Sequence, residues 1–144
     1  MARLIPPYID ESFISSAEQK IFQMFHDSDP ARDWTVLHSL GLANRGRIPY
    51  GEIEFVVLIP SFGCLCLEVK GGRVSCHDGI WTTVDRGGKS ARLKKSPFIQ
   101  ARGGMFAFRN KVIESINPKS LLHDFVIGSA VVFPDVEFTI DTIE

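Results

Sequence analysis

Apolar and polar residues recur along the chain first with helical and then with strand spacing. Ser15 and Glu18 have the spacing of a capping box, which is typical of a helix start, and Asp29-Pro30 ends the segment. Between these signals, four apolar side chains fall on one helical face: Ala17, Ile21, Met24 and Phe25. The pattern predicts an amphipathic helix with one face packed on a core.

Three short segments with strand-like patterns follow the first helix. They cover residues 34–40, 52–59 and 64–70, and a loop at residues 41–51 separates the first segment from the second. The turn at residues 60–63 is too short for a crossover helix. The second and third strands are therefore predicted to be antiparallel neighbours.

A hairpin and a returning strand are predicted in the second half of the chain. An Asp-Gly turn joins residues 73–76 to residues 80–84, as in tight β-hairpins. Residues 125–133 are an apolar run that predicts a buried strand returning to the sheet. Residues 136–140 are compatible with one more strand or with the start of a further domain.

A second helix is predicted between the hairpin and the returning strand. Ser96 fits the N-cap and Pro97 the first helical position, and the helix is expected to continue to about Ile116. Gly103 and Gly104 each cost about 1 kcal/mol relative to alanine inside a helix, which indicates close packing against this turn. One face is apolar and carries Ala101, Met105, Phe108, Val112 and Ile116.

Two carboxylates and a lysine fall on the second and third predicted strands. Side chains of a strand point alternately to its two faces, so Glu68 and Lys70 share one face. Glu54 lies on the neighbouring strand in a polar set with Glu52. Charges at the edge of an apolar core destabilise a fold unless a cation or a substrate compensates them. The pattern is what a metal-dependent phosphodiesterase needs on two adjacent strands.

Composition indicates one globular domain. The chain has 144 residues, of which 44% are hydrophobic and 23% charged, and these are values of an ordinary soluble protein. The longest apolar runs are too short for a membrane span, and the first residues lack the apolar stretch of a secretion signal. A cytoplasmic protein is the expectation.

Cysteine and histidine residues do not indicate a further site. The three cysteines, Cys64, Cys66 and Cys76, are an odd number, which argues against a disulfide framework, and they lack the second pair of a zinc site. The histidines at positions 38, 77 and 123 have no spacing that suggests a catalytic triad. Structural or surface roles are expected for all of them.

Basic residues are concentrated in one stretch, although the net charge is only −1. Residues 86–111 contain half of the 16 Lys and Arg residues and no acidic residue: Arg86, Lys89, Arg92, Lys94, Lys95, Arg102, Arg109 and Lys111. Such a stretch is either a solvated face or, beside a carboxylate cluster, a surface that follows nucleic-acid phosphates. The first six of these residues are the candidate nucleic-acid contacts.

Five short motifs, in this order and spacing, carry a resemblance to a known family. They are the Ser-x-x-Glu helix start, Gly-Glu-Ile-Glu-Phe-Val-Val from residue 51, Leu-Glu-Val-Lys-Gly-Gly from residue 67, Asp-Gly-Ile-Trp from residue 78, and Ser-Pro followed by Gln-Ala from residue 96. From about residue 15 to residue 134 the chain resembles the NERD (nuclease-related) domain, a branch of the PD-(D/E)xK or restriction-endonuclease-like group. The resemblance implies an α/β fold whose restriction-endonuclease-like core is a mixed central β-sheet flanked by helices.

The resemblance also implies roles for individual residues. Glu54 and Glu68 would bind Mg²⁺ or Mn²⁺ together with the backbone carbonyl of Val69, and Lys70 would be the catalytic lysine. Two further polar positions that the family keeps near the site are Glu18 and Gln100. One departure is that the family usually has Asp where this chain has Glu54, and the extra methylene changes the reach of that carboxylate.

The function implied is a divalent-metal-dependent nuclease that cleaves DNA with little sequence specificity. Residues 1–144 would be a single NERD domain at the amino-terminal end of a longer DNA-processing protein, with a helicase-type module fused or associated. One alternative is a non-catalytic module that binds nucleic acid or a partner and has a degenerate nuclease site. A second alternative is an interaction domain with no nucleic-acid role.

Overall fold

The computed structural model describes residues 1–10, 12, 14–38, 53–122 and 124–137. Its elements in chain order are β1 (Arg3–Ile5), α1 (Ser16–Asp27), β2 (Thr35–His38), β3 (Phe55–Ile59), β4 (Gly63–Val69), β5 (Arg73–His77), β6 (Ile80–Val84), β7 (Ser90–Arg92), α2 (Pro97–Ser115) and β8 (Ile127–Val132). A short 3₁₀ helix spans Lys119–Leu122. In this part of the chain, neither α-helix is long and apolar enough to cross a bilayer.

A five-stranded mixed sheet forms the centre of the fold, in the order β1-β2-β3-β4-β8. The β2–β3 and β3–β4 pairs are antiparallel, which confirms the prediction from the short turn, and the β1–β2 and β4–β8 pairs are parallel. β5, β6 and β7 form a separate antiparallel sheet that contains the predicted Asp-Gly hairpin. The predicted mixed α/β architecture is confirmed.

Helix α1 covers one face of the central sheet. The predicted capping box is present: the Glu18 N–H donates to the Ser15 hydroxyl at 3.2 Å, and the Ser15 N–H donates to the Glu18 carboxylate at 3.0 Å. Phe22 is buried, whereas Met24 is 65% exposed, so the prediction that Met24 faces the core is wrong. The buried face of α1 runs through Ala17, Ile21 and Phe22, with Phe25 packed beside it.

Helix α2 covers the opposite face and packs against β4 and β8. Val56, Cys64 and Cys66 form the buried centre of this layer, and Met105 and Phe108 of α2 pack against them. The predicted apolar face of α2 is confirmed at Met105 and Phe108, and at Ala101, which is buried. Because even-numbered residues of β3 and β4 point towards α2, the side chains at positions 54 and 68 are expected on this face of the sheet.

Close packing against the glycine pair of α2 is found at one glycine. A Cβ at Gly104 would lie 2.8 Å from Cγ1 of Ile53, whereas a Cβ at Gly103 would meet nothing within 4 Å. Alanine at position 103 is expected to stabilise the fold by about 0.5–1 kcal/mol through helix propensity. Alanine at position 104 is expected to destabilise it, because overpacking of typically about 1–3 kcal/mol outweighs the same gain. Urea unfolding of Gly103→Ala and Gly104→Ala measures the difference, and equal stability of the two variants would contradict the packing described.

Several boundaries differ from the sequence prediction. The second strand was predicted from residue 52 but starts at Phe55, and the returning strand is half-buried at the sheet edge rather than buried. β7 lies inside the segment predicted as a basic loop, and β1 was not predicted. The predicted loop at residues 41–51 and residues 138–140 lie outside the described residues.

A small aromatic cluster connects the three-stranded sheet to α2 and to the end of β8. Trp81 is 3% exposed; its ring centroid lies 5.8 Å from that of Phe98 and 6.1 Å from that of Phe133, with which it stacks. The Leu93 N–H donates to the Trp81 carbonyl at 2.9 Å, which ties the segment before α2 to β6. These contacts fix the basic segment relative to the first turn of α2.

Candidate metal and phosphodiesterase site

Glu54 supplies the hydrogen-bond acceptor that β3 does not provide at its start. β3 begins at Phe55, which pairs with Leu67 of β4. β4 continues for two more residues, to Val69, and there it has no β3 residue opposite it. The Val69 N–H would otherwise lack a strand partner, and a buried N–H without an acceptor is costly. It donates to Oε2 of Glu54. The sequence prediction placed Glu54 on the strand; the structure places it one residue before the strand, with its carboxylate bound to the backbone of β4.

Glu68 and Lys70 form an ion pair at the carboxyl end of β4. Glu68 Oε1 lies 2.6 Å from Lys70 Nζ, and the two side chains are 5% and 21% exposed. This contact confirms that the two side chains share one face, as the alternation of strand residues predicted. A charged pair so little exposed to water interacts more strongly than a surface ion pair.

The two carboxyl groups are close enough for the charge of one to affect the other. Burial raises the pKa of Glu54 to about 8, and the charge of Glu68 adds to the increase. The hydrogen bond from Val69 and the charge of Lys70 act in the opposite direction. In the metal-free protein Glu54 therefore keeps its proton through much of the neutral range, and a cation at this position would favour its ionised form.

The shift at Glu54 predicts an unusual pH dependence of stability in a chelating buffer. The folded state holds the proton of Glu54 up to a pKa of about 8, whereas the unfolded state loses it near the ordinary value of 4.5. The folded state thus binds more protons between these pH values, so the free energy of unfolding falls as pH rises, by at most about 1.4 kcal/mol per pH unit from this group. Urea unfolding in EDTA at pH 5 and pH 8 measures the decrease. Glu54→Gln should remove that component, and an unchanged pH dependence in the variant would contradict the shift.

The donor atoms around Glu54 suit a hard divalent cation. The N–H and C=O of one strand residue point to the same side, so the Val69 carbonyl faces the side on which Glu54 binds the Val69 N–H. Two carboxylates and a carbonyl are oxygen ligands of the kind that Mg²⁺ and Mn²⁺ prefer. Over the described ranges, no three His, Cys, Asp or Glu side chains form a metal-binding group. With so few protein ligands, an ion here would need further oxygen ligands such as water, as Mg²⁺ usually does.

Two further predicted residues lie on the helices that flank this position. Glu18 is engaged in the capping box, and its charge contributes to the raised pKa of Glu54. Gln100 is exposed in the first turn of α2, one turn before Gly104, which approaches Ile53 next to Glu54. Residues four apart share a helix face. Gln100 therefore shares a helix face with Gly104, and its role at the site stays a prediction.

The six candidate nucleic-acid contacts are all exposed. Arg86 and Lys89 lie in the turn between β6 and β7, and Arg92 ends β7. Lys94 and Lys95 precede α2, and Arg102 lies on its second turn. Together the six residues form a basic surface that runs from the turn between β6 and β7 to α2. Within the described residues, none of the six lies within 4 Å of a carboxylate oxygen in an ion pair. Their exposed charges can meet an anionic partner, and the charge of Arg86 also acts on Asp135.

The cysteines and His38 have structural roles. Cys64 and Cys66 are buried under α2, Cys76 is half-buried, and all three are free thiols. His38 is buried and its Nε2 lies 2.7 Å from the Pro6 carbonyl. His123 lies outside the described residues.

One residue at this end of the sheet was not singled out from the sequence. Asp135, just after β8, accepts a hydrogen bond from the Gly72 N–H at 2.8 Å and pairs with Lys20 of α1. Two adjoining clefts of about 520 and 260 Å³ meet at this contact, and both are lined by Gly72, Asp85, Arg86 and Asp135. A Pro-Asp turn after an apolar strand was the only local signal.

The architecture defines the class of protein. A mixed central sheet between two helices, with a small antiparallel sheet beside it, is a restriction-endonuclease-like core. The model of the nuclease-related domain (NERD) family matches residues 15–134. The chain belongs to the NERD family. No curated protein and no solved structure matches the chain.

Proposed function

We propose that the protein is a divalent-metal-dependent nuclease that hydrolyses phosphodiester bonds of DNA with little sequence specificity. One observation carries the proposal: the carboxyl of Glu54, whose ionisation is opposed by the charge of Glu68, is held on the Val69 N–H beside the Glu68–Lys70 ion pair. A fold that only needed stability would gain by replacing such a group with an apolar one. A divalent cation bound here would offset the repulsion between the two carboxylates, which explains why the fold keeps them together.

Glu54, Glu68 and the carbonyl of Val69 would hold Mg²⁺ or Mn²⁺. When bound, the ion supplies Lewis-acid polarisation of the scissile phosphate and lowers the pKa of a coordinated water. Glu54, whose pKa is raised to about 8, would have to give up its proton to serve as an anionic ligand beside Glu68. Lys70 lies beside the Glu68 carboxylate, so a phosphate held at this position would be near its ammonium.

Lys70 would act on the water or on the developing charge. Its ammonium is already oriented by Glu68 at 2.6 Å and is only partly exposed, so little reorganisation is needed when the phosphate arrives. From this position the ammonium would orient the attacking water or neutralise the negative charge that develops on the phosphoryl oxygens. Deprotonation of the water would require the neutral amine form of Lys70. Glu18 and Gln100 contribute polar groups from the two helices.

The basic surface between Arg86 and Arg102 would hold phosphates that flank the scissile bond. Contacts to phosphate carry no base sequence information, which supports low sequence specificity. Such an activity suits DNA processing or repair, together with a helicase-type module that exposes the substrate.

Cleavage assays on supercoiled, linear and single-stranded DNA, with Mn²⁺ and with EDTA, test the proposal. Cleavage in Mn²⁺ but not in EDTA is expected, and Glu54→Asp should retain it because the shorter carboxylate is the family's usual ligand. A chain that retards DNA in a gel but does not cut it with any divalent metal would instead be a non-catalytic binding module. DNA that is neither bound nor cut would contradict both.

If the basic surface holds DNA phosphates, removing its lysines should lower the affinity for DNA. Replacing Lys94 and Lys95 together by alanine should weaken binding and reduce the slope of log K against log salt by about 1.8, if each lysine neutralises one phosphate. Fluorescence anisotropy with labelled duplex DNA over a salt series measures both quantities. Arg32→Ala with Lys119→Ala removes two exposed basic residues outside this surface and is the matched control. An unchanged slope in the Lys94/Lys95 variant would show that DNA does not contact them.

A further inference from the structure

We propose that Asp135 is a positioning residue for Lys70, because its carboxylate holds the Gly71–Gly72 turn that directly follows the lysine. The inference rests on the proposed function, in which Lys70 acts on the phosphate or on its attacking water. Asp135 would affect the reaction through the backbone that carries Lys70 and not through contact with the substrate.

Asp135 connects the turn to helix α1. Its Oδ2 accepts the Gly72 N–H at 2.8 Å, and its Oδ1 pairs with Lys20. The Asp135 side chain is 23% exposed and that of Lys20 is 43% exposed. The Lys20 ammonium, followed by the hydrogen bond from Gly72, holds the pKa of Asp135 below its usual range. The acceptor is therefore ionised throughout the neutral range.

Two further hydrogen bonds hold the same three residues. The Lys70 N–H donates to the Val132 carbonyl of β8 at 2.9 Å, and the Thr83 hydroxyl of β6 donates to the Gly71 carbonyl at 3.1 Å. The backbone from Lys70 to Gly72 is thus attached to β8, to β6 and, through Asp135, to α1. Of these three attachments, Asp135 supplies the charged one.

The turn is also closely packed, which explains its two glycines. A Cβ at Gly71 would lie 2.8 Å from the Cβ of Ala17 in the first turn of α1. Gly72 has a φ of +82°, and a Cβ there would lie 2.7 Å from Oγ1 of Thr83. Only glycine adopts this backbone without strain. The turn therefore fits between α1 and β6, and the Asp135 carboxylate holds it from the side of β8.

The position of the Lys70 Cα limits where its ammonium can reach. A lysine stem is flexible, so the approach of Nζ to Glu68 depends on a backbone that does not move. A misplacement of about 1 Å at a catalytic group costs on the order of 100-fold in rate. Loss of a partner that orients such a group typically costs about 10–100-fold.

Steady-state cleavage in Mn²⁺ by Asp135→Ala and Asp135→Asn tests the proposal. The alanine variant should lose about 10–100-fold in kcat, with KM changed by less than about twofold. The asparagine variant keeps an oxygen acceptor for the Gly72 N–H and should recover most of that loss. Asp10→Ala removes a comparable hydrogen bond, in which the Ser12 N–H donates to Asp10 Oδ1 at 3.0 Å, and should leave kcat unchanged.

NMR of the Lys70 ε-methylene protons gives a readout that does not depend on cleavage. In the wild type the ion pair orders the side chain, so the two ε protons should be inequivalent; in Asp135→Ala they should become equivalent, as for the exposed Lys119. If Asp135→Ala does not fold, Asp135→Ser, whose hydroxyl is too short to reach Gly72, takes its place in both experiments.

The two readouts separate the possible failures. An active wild type whose kcat is unaffected by Asp135→Ala, or a Lys70 signal that is unchanged in the variant, overturns the positioning role. An inactive wild type overturns the proposed function alone, and the Lys70 signal then still decides whether Asp135 orders the lysine.

Discussion

Glu68→Gln is expected to reduce Mn²⁺-dependent cleavage of plasmid DNA by at least about 100-fold. The amide keeps the size of the side chain but lacks the charge that a divalent cation and Lys70 both require. Glu68 is 5% exposed and lies 2.6 Å from the Lys70 ammonium, so the substitution removes a buried charge at the proposed metal position. The measurement is the initial rate of conversion of supercoiled to nicked plasmid at saturating Mn²⁺.

Glu114→Gln makes the same change at an exposed glutamate of α2 and is the control. It should cleave at the wild-type rate. The far-UV circular dichroism of both variants shows whether each is folded at the assay temperature. A folded Glu68→Gln protein that retains most of the wild-type rate would contradict the assignment of Glu68 as a metal ligand.

Lys70→Met is the second change with a large expected effect, on the order of 100- to 1,000-fold in kcat. Methionine has a similar length and apolar stem but no positive charge. Its effect should lie in kcat and not in DNA affinity, because flanking phosphates are proposed to be held by the basic surface. Single-turnover cleavage, together with fluorescence anisotropy for DNA binding, separates the two quantities.

Lys119→Met removes a charge from an exposed lysine and should leave the cleavage rate unchanged. The Lys70 variant also removes the ion pair of the buried Glu68, so lower stability is expected as well. Assays should therefore be made at a temperature where unfolding curves show the variant to be folded. A fall in DNA affinity with an unchanged kcat would mean that Lys70 binds substrate and has no role in the chemical step.

The local part of the site could be predicted from the sequence. Alternation along a strand placed Glu68 and Lys70 on one face, and the capping box placed Glu18 at the start of α1; the structure has both features. Each depends on residues two or three apart, where backbone geometry leaves few alternatives. The turn at residues 60–63 likewise determined that β3 and β4 are antiparallel neighbours.

The position of Glu54 could not be predicted from local pattern. The alternation of Glu52, Ile53, Glu54 and Phe55 fits a strand, yet β3 begins only at Phe55. The reason is a contact fifteen residues away, in which Glu54 accepts the Val69 N–H in place of a strand partner. The strand propensity of residues 52–55 does not determine where β3 begins, because a side-chain carboxylate can accept the N–H that a backbone carbonyl of β3 would otherwise accept.

Asp135 and β1 illustrate contacts between distant parts of the chain. Asp135 is 63 residues from Gly72 along the sequence, and β1 pairs with β2, which begins thirty residues after β1 ends. Neither pairing leaves a periodic signal in the sequence.

Anomalous diffraction from crystals soaked in Mn²⁺ tests most directly whether a divalent metal binds between Glu54, Glu68 and Val69. The predicted result is one strong peak at about 2.0–2.6 Å from a carboxylate oxygen of Glu54, a carboxylate oxygen of Glu68 and the carbonyl oxygen of Val69. The peak should be absent from crystals of Glu68→Gln prepared in the same way. A peak elsewhere in the chain, or none between these three groups at saturating Mn²⁺, would contradict the metal-dependent site.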